Sequence, residues 1–153
     1  MRATFPRIRS TWRASVANPE IIVDTGPLVA FLVASDDRHG WTVAQFQRLP
    51  APFLTCEPVL TEAFHLISRL ADGPRRFFEL LGSGLLVVQF ELMAERDTLR
   101  KLVRKYSDLP MSLADACVVR MAELHRGARV FTLDSDFGVY RQSGRQQIRT
   151  IMP

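Results

Sequence analysis

Cysteine is scarce. Cys56 and Cys117 are the only two in 153 residues, and neither sits in a CxxC or any other ligand spacing. That excludes a disulfide framework or a cysteine-held metal and reads as two buried thiols in a reducing compartment. No apolar run approaches the roughly 18 residues of a membrane span. The start MRATFPRIRSTWRASVANPE has no unbroken apolar core of about 7–15 residues, so it does not read as a secretory signal. The expectation is a cytoplasmic protein with no membrane contact. The three histidines, His39, His65 and His125, form no zinc motif, and His65 reads as a helix-face histidine near Glu62. GxxxxGK[ST], GxGxxG and GxSxG are all missing, which removes the phosphate loop, the dinucleotide fingerprint and the nucleophile elbow. Gly82-Ser83-Gly84 is too short to cradle a phosphate and reads as a helix-to-strand turn. Paired aromatics of an RNA-recognition motif are also missing.

What is present fits one globular domain. The composition is 47% hydrophobic and 24% charged, ordinary for a folded chain of this length. The net charge of +4 is unevenly placed. Residues 1–19 carry Arg2, Arg7, Arg9 and Arg13 and no acid; the 16 remaining basic residues match the 16 acids. The sequence therefore divides into a basic, aperiodic arm over 1–19 and a neutral domain over 20–153. A neutral domain can still bind RNA along one positive groove, so net charge decides nothing here. Arg38, Arg69, Arg75, Arg76 and Arg141 are the candidate phosphate contacts, and most surface arginines are simply solvated.

Short apolar runs alternate with helical patterns. Ile21–Val23, Phe53–Thr55, Leu85–Phe90, Val130–Leu133 and Gln147–Ile151 read as strands. Helices are predicted over Pro27–Val33, Gly40–Leu49, Pro58–Leu70, Gly73–Leu81, Leu92–Tyr106 and Leu113–Leu124. The third places Leu60, Ala63, Phe64, Ile67 and Leu70 on one stripe, and the last places Leu113, Cys117, Met121 and Leu124 on another, with Gly127 as its stop. Alternation of this kind predicts an α/β domain with a largely parallel central sheet flanked by helices.

Four acids fall where parallel strands end and the helices after them begin. Asp24 follows the first strand and Asp134 follows Val130–Leu133. Glu62 lies in the first turns of the third helix, and Asp115 in the first turn of the last. In an open parallel sheet these positions share one rim, where ligands bind. Each acid also has a plainer role. Asp24 can cap the helix after it, and Ser112-Leu113-Ala114-Asp115 fits a capping box. Asp134 can shape its turn, and Glu62 can answer the positive end of its helix. Singly, those roles suffice. They do not explain why all four meet on one rim. Carboxylates gathered together repel one another, and a hard divalent cation such as Mg²⁺ or Mn²⁺ relieves that.

The same residues resemble a known family. Ile21-Ile22-Val23-Asp24-Thr25-Gly26-Pro27, Val59-Leu60-Thr61-Glu62-Ala63, Leu109-Pro110-Met111-Ser112-Leu113-Ala114-Asp115-Ala116 and Phe131-Thr132-Leu133-Asp134-Ser135-Asp136-Phe137 resemble, in order, the four acidic segments of the PIN domain, especially in VapC-type toxins. The resemblance spans residues 21 to about 140. It implies a five-stranded parallel sheet in order 3-2-1-4-5 and Mg²⁺- or Mn²⁺-dependent RNA cleavage. Asp24, Asp115 and Asp134 would hold metal, and Glu62 would position the attacking water or a second ion, with Asp136 a lesser candidate beside Asp134. It also implies a homodimer inhibited by a small antitoxin. The alternatives are a PIN nuclease in RNA processing without an antitoxin, a catalytically silent RNA- or protein-binding PIN module, and an aspartyl-phosphate phosphatase. The last is disfavoured by Gly26, where its second Asp would stand.

Overall fold

The computed structural model describes residues 21–153; the basic arm expected over 1–19 lies outside the described residues. Seven short strands and six α-helices follow one another, beginning with β1 (Ile21–Val23), α1 (Thr25–Leu32), α2 (His39–Arg48), β2 (Phe53–Thr55) and α3 (Glu57–Ile67). Then come α4 (Gly73–Gly82), β3 (Leu86–Val88), α5 (Leu92–Lys105), α6 (Leu113–Leu124) and β4 (Arg129–Phe131). A 3-10 turn at Ser135–Gly138, then β5 (Arg141–Gln142), β6 (Gln146–Gln147) and β7 (Thr150–Ile151), complete the chain.

The main sheet has five strands in the order β3-β2-β1-β4-β7, and every pairing in it is parallel. This is the expected architecture, with the fifth place taken by the seventh strand. The expected last strand, Gln147–Ile151, is split. Thr150–Ile151 joins the sheet, while Gln146–Gln147 pairs back onto Arg141–Gln142 as an antiparallel hairpin. Ser143 and Gly144 hold positive φ, 49° and 82°, and this turns the chain over between the two short strands.

The central strands are buried on both faces, which is why they read as unbroken apolar runs. Ile21, Ile22, Val23, Phe53, Leu54, Val130 and Phe131 are all fully buried. Phe46 of α2 lies against Phe31, Phe53 and Phe131 with ring centroids 4.8, 4.9 and 5.1 Å away. This aromatic nucleus ties α1 and α2 to the middle of the sheet.

Two helical stripes differ from expectation. In α3, Val59, Ala63 and Ile67 are buried, while Leu60 and Phe64 are half-buried; Leu70 lies beyond the end of the helix and is exposed. In α6, Cys117 and Met121 are buried as expected, but Leu113 and Leu124 are exposed, and Ala114, Ala116, Val118, Val119 and Ala122 are buried instead. Helix α6 is covered by α3, α5, β1 and β5, so its apolar surface runs most of the way round and no single stripe describes it. Gly73 opens α4 against the end of α3: a Cβ there would stand 2.0 Å from the Ile67 carbonyl oxygen. No described helix is long and apolar enough to cross a membrane.

Candidate active site

Strand register assembles the first part of the site. Val23 pairs with Phe131, so the residues just beyond each, Asp24 and Thr132, leave the sheet side by side. The Asp24 N–H donates to the Phe131 carbonyl at 3.0 Å, and the Thr132 hydroxyl donates to Asp24 Oδ2 at 2.7 Å. Thr132 also accepts the Asp134 N–H at 3.0 Å. One buried hydroxyl thus links the first acid to the fourth. The two turns lie close behind it, since a Cβ on Gly26 would stand 3.2 Å from Leu133 Cβ.

Helix starts bring the other two acids. Glu62, two turns into α3, accepts the Thr25 hydroxyl on Oε2 at 2.6 Å; no other described residue donates to that carboxylate. Asp115 completes a capping box at the start of α6. Its N–H donates to Ser112 Oγ at 3.0 Å, and its Oδ2 accepts the Ser112 N–H at 2.9 Å. The Asp134 side chain accepts the Asp136 N–H at 2.9 Å. The capping role of Asp115 and the turn role of Asp134 are therefore real, and they coexist with membership of the cluster. The capping role considered for Asp24 is not observed: its side chain makes no cap bond to α1 and faces Thr132 instead.

Electrostatics show that the four acids share one neighbourhood. Asp24 is 4% exposed, and its carboxyl is pushed up to about 7. Burial is the main cause, hydrogen bonds from Thr132 and the Thr25 backbone oppose it, and the charges of Asp115 and Glu62 add to it. Asp115 is also raised, first by burial and then by Asp134 and Glu62, against the opposing Ser112 bonds. None of the four carboxylates is ion-paired with a described Lys, Arg or His. Asp136 joins the Asp134 turn through its N–H, which the Asp134 carboxylate accepts.

This donor set suits a divalent cation in chemistry. It is all oxygen, negatively charged and without a counter-charge among the described residues, and the Asp24 and Asp115 carboxyls are held up by burial and by the neighbouring acids. No three described His, Cys, Asp or Glu side chains close into a ready-made cage. Mg²⁺ does not require one, since it keeps several waters and takes one or two carboxylates directly.

Beside Glu62 opens a cleft of about 700 Å³ lined by Pro58, His65, Phe90, Leu92, Met93 and Leu113 among others. His65 therefore sits at the mouth, next to the acid it follows in sequence. Of the candidate phosphate contacts, Arg75 is engaged by Glu79 at 2.6 Å and Asp72 at 3.6 Å. Arg76 donates to the Leu32 carbonyl, and Arg141 donates through one nitrogen to the carbonyls of Gly138, Val139 and Tyr140.

The family described as PIN domain matches residues 21–142, most of the chain. The chain belongs to the PIN domain family. That family is one of nucleases that generally use a divalent metal. No curated protein is matched by sequence. Among solved structures, the chain resembles Mycobacterium tuberculosis VapC20, described as a toxin that cleaves the sarcin–ricin loop. The likeness has a TM-score of 0.66 and 22% identity over 78% of this chain and 93% of the other, and it establishes the fold.

Sequence reasoning named the four acids of this PIN domain but missed Thr132 and Thr25. A polar Thr132 near the end of the run Val130–Leu133, two residues before Asp134, was a usable signal, because alternation turns residues two apart the same way. Thr25 adjoined Asp24 without a motif of its own.

Proposed function

We propose that this PIN domain protein is a Mg²⁺- or Mn²⁺-dependent endoribonuclease, acting in the cytoplasm as the toxin of a toxin–antitoxin pair. The observation that carries the reading is the acidic cluster itself: Asp24, Glu62, Asp115 and Asp134 gathered at the sheet's switch point with no described Lys, Arg or His ion-paired to them. Structural caps explain two of the four and do not explain their convergence. The likeness to a solved toxin described as cleaving the sarcin–ricin loop supports the toxin assignment and RNA as substrate. A homodimer and a small inhibitory antitoxin complete the proposal.

Asp24 and Asp115 would hold the ion, with Asp134 holding it or one of its waters. When bound, the ion would supply activation of a water and offset of charge on the scissile phosphate. Thr132 fixes the Asp24 rotamer from one side while its other contact fixes the backbone of Asp134. Ser112 fixes Asp115 in the same way. Glu62, held on one oxygen by Thr25, offers the other to orient the attacking water and take its proton.

The test is cleavage of total RNA and of a sarcin–ricin-loop oligonucleotide by purified wild type and Asp115→Asn, each with Mg²⁺, Mn²⁺ or EDTA. The asparagine still accepts the Ser112 N–H, so circular dichroism should match the wild type while cleavage falls by at least about 100-fold. Cleavage that survives EDTA, or a fully active Asp115→Asn, rejects the proposal. RNA binding without cleavage in any ion assigns a binding module instead.

A further inference from the structure

The cleft of about 700 Å³ beside Glu62 has the size of pockets that enclose a small ligand. One wall is a stripe of α3 that includes Glu57, Glu62 and His65. The other is formed by the starts of α5 and α6, with Met93 and Leu113. Glu62 belongs both to this cleft and to the acidic cluster. Ser112, which anchors Asp115, lines it as well. The cleft is therefore continuous with the acidic rim, and a group seated in it is one joined to whatever the rim acts on.

Its walls and its charges point to one kind of group. Met93 is 69% exposed, and Leu113, expected on the core stripe of α6, is 52% exposed. Large apolar side chains left open beside a site mark where a ligand packs. The lining carries three glutamates, Glu57, Glu62 and Glu91, and no Lys or Arg, so a phosphate is repelled there. Glu91 stands at the N-cap of α5 without a cap bond from its side chain, and neither it nor Glu57 is ion-paired with a described residue. Both carboxylates are open acceptors. An uncharged flat group with donors along its edge fits walls and charges together, and an unpaired nucleobase has that form. Bases differ at that edge. Guanine leads with two adjacent donors, N1–H and N2–H, which can meet one carboxylate side by side. Uracil sets a single donor between two carbonyl oxygens, which a carboxylate repels.

We propose that this cleft seats an unpaired guanine next to the scissile phosphate, packed between α3 and the side chains of Met93 and Leu113, with Glu57 and Glu91 accepting from its edge. This rests on the reading of the site as an RNA nuclease and names the base that the nuclease selects.

The first test needs neither metal nor cleavage. Protein with isotope-labelled Met and Leu methyl groups is titrated in EDTA with guanosine and, separately, with uridine. Guanosine shifts the Met93 and Leu113 methyl signals, and uridine does not. The second test sequences the ends that the wild type leaves on random-sequence single-stranded RNA with Mn²⁺. Guanine exceeds uracil by about tenfold at one position beside the cut. Glu57→Gln combined with Glu91→Gln levels that preference, and Leu113→Ala raises KM several-fold. Equal shifts from the two nucleosides, no shift from either, or cut sites whose base preference the double variant leaves intact overturn the proposal. So does Leu113→Ala turning a dimer into a monomer by light scattering, which makes the cleft a contact between two copies. Guanosine shifts in a protein that cuts no RNA with any ion overturn the nuclease reading alone and leave the cleft a guanine site.

Discussion

Removing the charge of Asp24 should stabilise the metal-free protein while abolishing its chemistry. The Asp24 carboxyl is raised from 3.8 to about 7. A carboxyl raised by folding binds its proton more tightly in the folded chain than in the unfolded one. Below about pH 4 both states are protonated and nothing is lost. Between about pH 4 and 7 the unfolded chain ionises first, so stability falls as pH rises, and above about 7 the loss is complete. Roughly three pKa units at about 1.4 kcal/mol each gives about 4 kcal/mol. Asp24→Asn removes that penalty and still offers an amide oxygen to the Thr132 hydroxyl. In EDTA at pH 8 the variant should therefore exceed the wild type by up to about 4 kcal/mol, or roughly 10 °C in Tm for a domain of this size. At pH 4.5 the gap should shrink to about 1 kcal/mol. Thermal unfolding followed by circular dichroism across this range, with and without 5 mM Mg²⁺ (on the order of an excess over a weak site), reads the difference. Mg²⁺ should raise the wild-type Tm and leave that of Asp24→Asn unchanged. A wild type whose EDTA stability is flat from pH 4.5 to 8, or an Asp24→Asn variant that melts lower at pH 8, would refute the account of an uncompensated buried acid.

Two further substitutions probe the scaffold. Thr132→Val keeps shape but removes the donor to Asp24 and the acceptor for the Asp134 N–H; urea unfolding should show a loss of about 1–3 kcal/mol, with reduced cleavage from the part that remains folded. Gly73→Ala drives a methyl into the Ile67 carbonyl and should cost about 1–3 kcal/mol or more, whereas Gly82→Ala, with nothing within 4 Å, should change stability by less than about 1 kcal/mol.

Much of this was legible in the sequence because burial on both faces leaves a strong trace. The runs at Ile21, Phe53 and Val130 gave the strands, and chain direction alone put Asp24, Glu62 and Asp134 at one rim. Asp115 was legible at that rim because the helix leading into a parallel strand starts there, and its capping box was legible as a local signal of its own. What escaped was long-range. That Val23 pairs with Phe131, and so sets Thr132 against Asp24, depends on pairing between residues more than a hundred apart. The α6 stripe was misplaced because that helix is covered on most sides, and 3.6-residue periodicity marks only helices with one wet face. The β5–β6 hairpin was missed because Ser143-Gly144 gave a weak turn signal inside a polar, basic stretch with no apolar alternation to reveal strands.

The paired thiols offer a different use. Cys56 stands at the N-cap position of α3, and Cys117 lies two residues past Asp115 in α6; both are fully buried and free. The neighbouring Cys117 thiol and burial push the Cys56 thiol up. A thiol reagent can reach either sulfur only when the helices bearing Glu62 and Asp115 part from the sheet. Labelling kinetics on the unmodified chain thus clock how often the acidic rim comes apart, with the protein carrying its own reporter.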